Sequence, residues 1–264
     1  MDFSHYTFFK VERAGKVLNI TLNNPEKLNA FSEAGHREMS RIFTDAAEDD
    51  DSDLIVVTGA GRAFTAGGDL EYMQKLRDEP KLMHRTIREA KRIAFSLLDC
   101  DKPIICKVNG DAIGLGTTLA LFSDIVFAVD TARFGDPHNN VGLIAGDGGG
   151  LMLPQFIGYA RAKHYMFTGD LIKAPEAAQM GLIYASVPAD QLDAAVDAYV
   201  QRLLKMPVQS LRWTKATVNI GLRQLAHSMM DAGMAYEMIA GQTQDHQEAI
   251  NAFREKRKPR FTHE

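Results

Sequence analysis

Two turns decide the reading: AFTAGGDL at residues 63–70 and VNGDAIGLGTTLAL at residues 108–121. Each follows a short run of β-branched residues, Leu54–Thr58 and Ile104–Val108, and each leads into a helical pattern. A strand that turns into a helix presents backbone N–H groups with no partner, and glycine lets a ligand approach that backbone closely. Both turns are therefore candidates for holding an anion or a polarised oxygen. Neither is a nucleotide cradle: the first lacks the Lys-Ser/Thr of a P-loop, and in GLGTTL Leu119 stands where a dinucleotide fingerprint needs its third glycine. No G-x-S-x-G nucleophile elbow is present either.

Working outward, further strand-like runs span residues 8–11, 17–22 and 125–128, and helical spacing covers residues 33–47 behind a Ser32 N-cap and roughly residues 81–98. Strands alternating with helices of this length predict βαβ crossovers and a layered α/β core. From about Asp190 the pattern becomes helical throughout, with Pro207 separating the first two helices. The expected organisation is an α/β core over residues 1–189 and a helical appendage over residues 190–264.

Of the 264 residues, 45% are hydrophobic and 24% charged, which is the composition of a globular chain. The net charge of -4 lacks the basic footprint that nucleic acid demands. The acidic run at residues 45–53 lies between a helix and a strand and reads as a solvated loop. The two cysteines, Cys100 and Cys106, have no metal-site spacing and read as packing residues in a reducing compartment. Residues 1–15 carry no cationic segment followed by an apolar run, and no window is apolar enough to span a membrane. The expected address is the cytoplasm.

Taken together, the turns resemble the crotonase (enoyl-CoA hydratase/isomerase) superfamily. AFTAGGDL is similar to its AFxAGxDL turn, and VNGDAIGLGTTLAL to its VxGxAxGGGxxLAL signature. FGDPHNNVGLIAGDGGGLMLPQFIG at 134–158 resembles FGxPExxxGxxPGxGGxxxLxxxxG. Further matches fall at residues 22–30, 166–183 and 249–261, so the resemblance spans the chain in order. It implies a crotonase-like spiral of ββα units with a helical C-terminal region that builds a homotrimer or a dimer of trimers. It also implies an acyl-CoA substrate, with coenzyme A entering as part of that substrate and no permanently bound cofactor. The N–H groups of Gly68 and Leu115 would hold the thioester oxygen. Lys27, Leu28, Ala30, Ala66, Asp69, Leu70, Gly114, Thr118, Pro137 and Gly146 would contact the substrate or its CoA, and Lys256 and Lys258 could serve phosphates, including a neighbouring subunit's.

The chain departs from the family's hydratases where their two glutamates stand, because those positions carry Thr118 and His138. Asp147 is an added carboxylate. An aspartate beside His138 would fix its tautomer and stabilise its imidazolium, which makes His138 and Asp147 the expected catalytic pair. The competing structural reading has His138 packing and Asp147 capping the helix that starts near Gly148. A His/Asp pair here resembles the β-diketone hydrolase branch, although that branch has a further histidine where this chain has Leu115; Glu237, in a late helix, could correspond to another of that branch's site residues but is not counted among the expected site residues. Three functions follow: water addition to an enoyl-CoA, hydrolysis of a C–C or thioester bond, or acyl-CoA binding without turnover. His164 lies in a helical pattern and reads as a partly buried or surface histidine; His36, His84 and His246 show no metal-ligand spacing, and no metal is expected.

Overall fold

A computed structural model describes residues 1–263. The chain opens with a hairpin, β1 (Phe9–Ala14) and β2 (Val17–Leu22), which turns at Gly15 with φ 59°. Helix α1 (Glu33–Ala47) follows, with Ser32 as its N-cap accepting from the N–H of Gly35 at 3.3 Å. Its buried His36, Met39, Phe43 and Ala46 recur every three or four residues and turn one face to the sheet. Next come β3 (Leu54–Gly59), α2 (Leu70–Asp78), α3 (Pro80–Asp99), β4 (Ile104–Val108), β5 (Ala112–Ile113) and α4 (Leu115–Phe122). The core is completed by β6 (Ile125–Val129), β7 (Arg133–Gly135), α5 (Gly149–Ile157), α6 (Tyr159–Thr168), β8 (Ile172–Lys173), α7 (Ala174–Gln179) and β9 (Ala185–Val187).

The main sheet has the order β1-β2-β3-β4-β6-β9 and is parallel from β2 onward, as crossover helices require. Leu54–Val57 are buried on both faces, which is why β3 reads as an unbroken apolar run rather than an alternation. A smaller sheet, β5-β7-β8, sets β7 beside the turn that precedes α4. The α/β core, the crossovers and the helical C-terminal region agree with the sequence reading.

The C-terminal helices are α8 (Leu192–Leu204), α9 (Val208–Ala240) and α10 (Gln244–Arg254). Helix α9 begins directly after Pro207 and runs unbroken to Ala240. Its Gly233 passes so close to Gly146 that a Cβ there would lie 3.0 Å from the Gly146 carbonyl oxygen. That approach brings Glu237, one turn further on, to accept a hydrogen bond from the Gly146 N–H at 3.0 Å. No helix among the described residues is long and apolar enough to cross a membrane.

Candidate active site

The first glycine turn is held from below by Asn29, which is fully buried and adopts φ 55°. Its side-chain amide donates to the carbonyls of Ala60, Ala63 and Phe64 at 2.8–3.1 Å, and its own carbonyl accepts from the Thr65 hydroxyl at 2.7 Å. Around Gly68 the neighbouring amides are all engaged: Ala66 donates to Leu28, Gly67 to the Thr65 hydroxyl, and Asp69 to Phe31. The N–H of Gly68 has no protein acceptor among the described residues.

The second turn is pinned by Thr117, whose hydroxyl donates to the Ala112 carbonyl at 2.6 Å and accepts from the Gly135 N–H at 2.9 Å. Gly114 donates to the Gly135 carbonyl and adopts φ 53°, ψ -120°, a conformation suited to glycine. Leu115 is the first residue of α4, so its N–H has no intrahelical partner. The two turns touch: a Cβ on Gly114 would lie 4.0 Å from the Gly67 Cα and 3.8 Å from Cε1 of His138. Two unpaired amides and an imidazole thus converge on one space.

That space is a cavity of about 600 Å³ lined by both turns, His138, Asp147 and Glu237, with apolar walls that include Phe31, Met73, Leu143, Met234 and Phe253. Of the residues singled out in the sequence, Lys27, Ala30, Ala66, Gly68, Asp69, Leu70, Gly114, Leu115, Pro137, His138 and Asp147 line it. Leu28, Thr118 and Gly146 stand behind the wall. The Leu28 carbonyl anchors Ala66, Gly146 positions Glu237, and Thr118 is wholly buried with its hydroxyl unpaired. Lys27 is tied to Asp69 at 3.2 Å, and Asp69 also caps α2. Lys256 and Lys258 are exposed. His164 lies elsewhere, exposed and 4.0 Å from Asp170.

His138 sits on a short 3-10 turn, His138–Val141, that Gly142 closes with φ 65°. Its Nδ1 meets Oδ1 of Asp136, a residue the sequence reading had not singled out. Asp147 does not cap α5, since the N-cap position is Gly148 without a side-chain bond, and its Oδ1 is buried with no partner among the described residues. Burial opposes an imidazolium at 138, but the charge and hydrogen bond of Asp136, joined by the charges of Asp147 and Glu237, outweigh it and raise the pKa well above its ordinary value. Burial raises the pKa of Asp147, and Asp136 adds to the rise. Burial and the charge of Asp147 raise that of Glu237. The cluster thus sets a His138 imidazolium against Asp136, beside two carboxyl groups, Asp147 and Glu237, whose burial raises their hold on a proton.

Ligand-capable atoms of Asp136, His138 and Asp147 lie within 4.8 Å of one another, close enough to address one cation. With Asp136 already on Nδ1, the arrangement favours proton transfer over ligation. What the cluster can do is deliver one proton and accept another beside an oxyanion held by two amides.

The family model described as enoyl-CoA hydratase/isomerase matches residues 12–264. The chain is 33% identical over 248 residues to the 1,2-epoxyphenylacetyl-CoA isomerase of Escherichia coli, covering 93% of this chain and 95% of that protein. A solved enoyl-CoA hydratase/isomerase from Mycobacterium paratuberculosis is similar with TM-score 0.91 and 34% identity, over 94% of this chain and 99% of that one. A β-diketone hydrolase from the cyanobacterium Anabaena, bound to (S)-3-oxocyclohexyl acetic acid, is similar with TM-score 0.85 and 27% identity, over 91% and 96% of the two chains.

Proposed function

The chain belongs to the enoyl-CoA hydratase/isomerase family, and from that premise we propose that it adds water across the α,β double bond of an enoyl-CoA thioester. The observation that carries this reading is the convergence of the free Gly68 and Leu115 amides, His138 and the Asp147/Glu237 pair on one cavity. A carboxylate of that pair takes a proton from water as the water oxygen bonds the β-carbon. The π electrons move to the thioester oxygen, where the two amides stabilise the enolate; one such donor contributes roughly 3 kcal/mol. As the enolate collapses, the His138 imidazolium passes its Nε2 proton to the α-carbon. The carboxyl group then returns its proton to the imidazole, and the protonation state of the cluster is restored. Thr118 replaces a carboxylate and takes no part in this cycle.

A second reading, hydrolysis of a C–C bond in a β-diketone or of a thioester, draws support from Glu237 lining the cavity with His138 and Asp147 and from the likeness to the Anabaena hydrolase. Incubation with a panel of enoyl-CoA and β-ketoacyl-CoA esters, read by mass spectrometry, separates the two. An intact CoA ester that gains one water supports hydration; two fragments support cleavage and overturn the first reading. Binding without either product would make the protein an acyl-CoA binder.

The helical region from residue 190 is assigned to subunit docking in a trimer or a dimer of trimers. Exposed Trp213, Val218, Ile220, Tyr236 and Ile239 along α9 support this, because each offers a large apolar side chain for a neighbouring subunit to cover. Light scattering that gives a monomer would refute it.

A further inference from the structure

The cavity wall built by α1, α2 and α3 is not uniformly apolar. Among Phe31, Met73, Leu76 and Ala90 it carries three polar side chains, His36, Tyr72 and Thr86, each with only 6–7% of its surface exposed. The Tyr72 and Thr86 hydroxyls bond each other at 2.6 Å, Nδ1 of His36 meets Glu89 at 3.0 Å, and the His36 and Tyr72 rings lie 5.9 Å apart between centroids. None of these takes part in the proton transfers assigned to His138, Asp147 and Glu237.

The hydrogen-bond inventory of this wall is incomplete in a specific way. Glu89 is approached by Arg85 at 3.6 Å and Arg37 at 3.9 Å as well as by His36, so it stays a carboxylate and accepts from Nδ1–H. Burial works against that charge, and His36, Arg85 and Arg37 overcome it to lower the Glu89 pKa. In the neutral tautomer that donates from Nδ1 to Glu89, Nε2 of His36 is an acceptor, and it has no protein partner among the described residues. The two hydroxyls hold two hydrogens between them and use one on each other, so one remains to donate. This wall therefore offers a ligand one acceptor and one donor.

A hydroxyl satisfies both at once, donating to Nε2 and accepting from the Tyr72/Thr86 pair. A methyl group would leave both unpaired, and a carboxylate would meet no free cation while facing the charge of Glu89. Resting on the acyl-CoA reading above, we infer that the acyl group carries a hydroxyl beyond the reacting carbons and that His36, Tyr72 and Thr86 select for it.

The test uses two CoA thioesters that differ only in that hydroxyl, with the unsubstituted ester as reference. Wild-type kcat/KM should favour the hydroxylated ester by roughly tenfold to a hundredfold, the consequence of leaving buried polar groups unpaired. In His36→Leu the ratio should fall toward one, and in His36→Gln, whose amide oxygen can still accept, it should partly return. Because His36 also ties α1 to α3 through Glu89, Tyr72→Phe, which removes a single oxygen, provides a variant that keeps the packing and should also shrink the ratio. Equal kcat/KM for the two esters, or a preference that survives both His36→Leu and Tyr72→Phe, overturns the inference while leaving the CoA-ester reaction standing. Conversely, calorimetry showing tighter binding of the hydroxylated ester without turnover of either would reject the reaction and keep the selectivity.

Discussion

Asp136 reaches Nδ1 of His138 from two positions upstream on the same turn, with Pro137 between them. Proline restricts the backbone on both sides of itself, so the carboxylate and the imidazole are held together by local geometry as well as by attraction. The Asp136 carboxylate lies against Gly149, where a side chain would collide with it. The glycine that opens α5 is thereby required for the carboxylate to sit where it meets the imidazole.

Asp136→Asn should return the His138 pKa toward its ordinary value. If the imidazolium is the acid in hydration, wild-type kcat falls on the alkaline side as His138 loses its proton, and in the variant that alkaline limb moves down by a unit or more. The linkage has the same sign: a pKa raised by folding stabilises the protein fully below the unfolded value of about 6.5 and ceases to do so as pH climbs through the folded value. Thermal melts of the wild type should therefore lose more between pH 7 and the alkaline limb than those of Asp136→Asn. An unmoved pH–rate profile would count against the ion pair.

Leu115→Pro should lower kcat by about 100-fold or more while CoA-ester binding persists. Leu115 is the first residue of α4, the helical position where proline is best tolerated, so the substitution deletes the N–H with little harm to the helix. A folded variant with wild-type kcat would remove Leu115 from the oxyanion assignment.

Asn29→Ala should destabilise the protein by about 3 kcal/mol, since it leaves the carbonyls of Ala60, Ala63 and Phe64 without their donor. It should also slow turnover, because the turn carrying Gly68 hangs on these bonds. Denaturant melts together with kcat at a temperature well below the transition would check both.

The sequence exposed what is written in short range. Both glycine turns announce themselves by spacing, and β3 by an apolar run that only a doubly covered strand can carry. Ser32 ahead of a periodic stretch marks the start of α1. Asp136 was harder to see, since its role comes from a side-chain direction set by Pro137 and the same residue type serves equally as a turn former. Glu237 depends on two backbones touching at Gly146 and Gly233, residues far apart in the chain, and no local pattern records that approach. The same holds for His36, which belongs to the buried face of α1 by periodicity and yet presents Nε2 to the cavity.

Dialysis against a strong chelator should leave turnover unchanged and should not shift the melting temperature. The donor atoms of Asp136, His138 and Asp147 are close enough to address a cation, but the bond from Asp136 to Nδ1 makes the imidazole a partner in proton transfer. Activity lost on chelation and restored by one divalent metal would reverse that reading.

Asp147 and Glu237 should titrate together, because the charge of Asp147 raises the Glu237 pKa, Asp136 raises both, and His138 opposes the rise in both. Their raised values place a loss of rate on the acid side, where the pair takes up its second proton and has no base left to activate water. Asp147→Asn removes one of the two charges, so the remaining Glu237 should ionise more readily and the acid limb should move to lower pH. Glu237→Gln should do the same to Asp147. Each single variant should lower kcat by about 100-fold or more with little change in CoA-ester affinity, as expected when a proton-transfer group is lost. The double variant should be little slower than the slower single one, since residues acting as one unit forfeit their joint contribution once. Effects that multiply in the double variant, with acid limbs unmoved in both singles, would mean that the two carboxyl groups act separately.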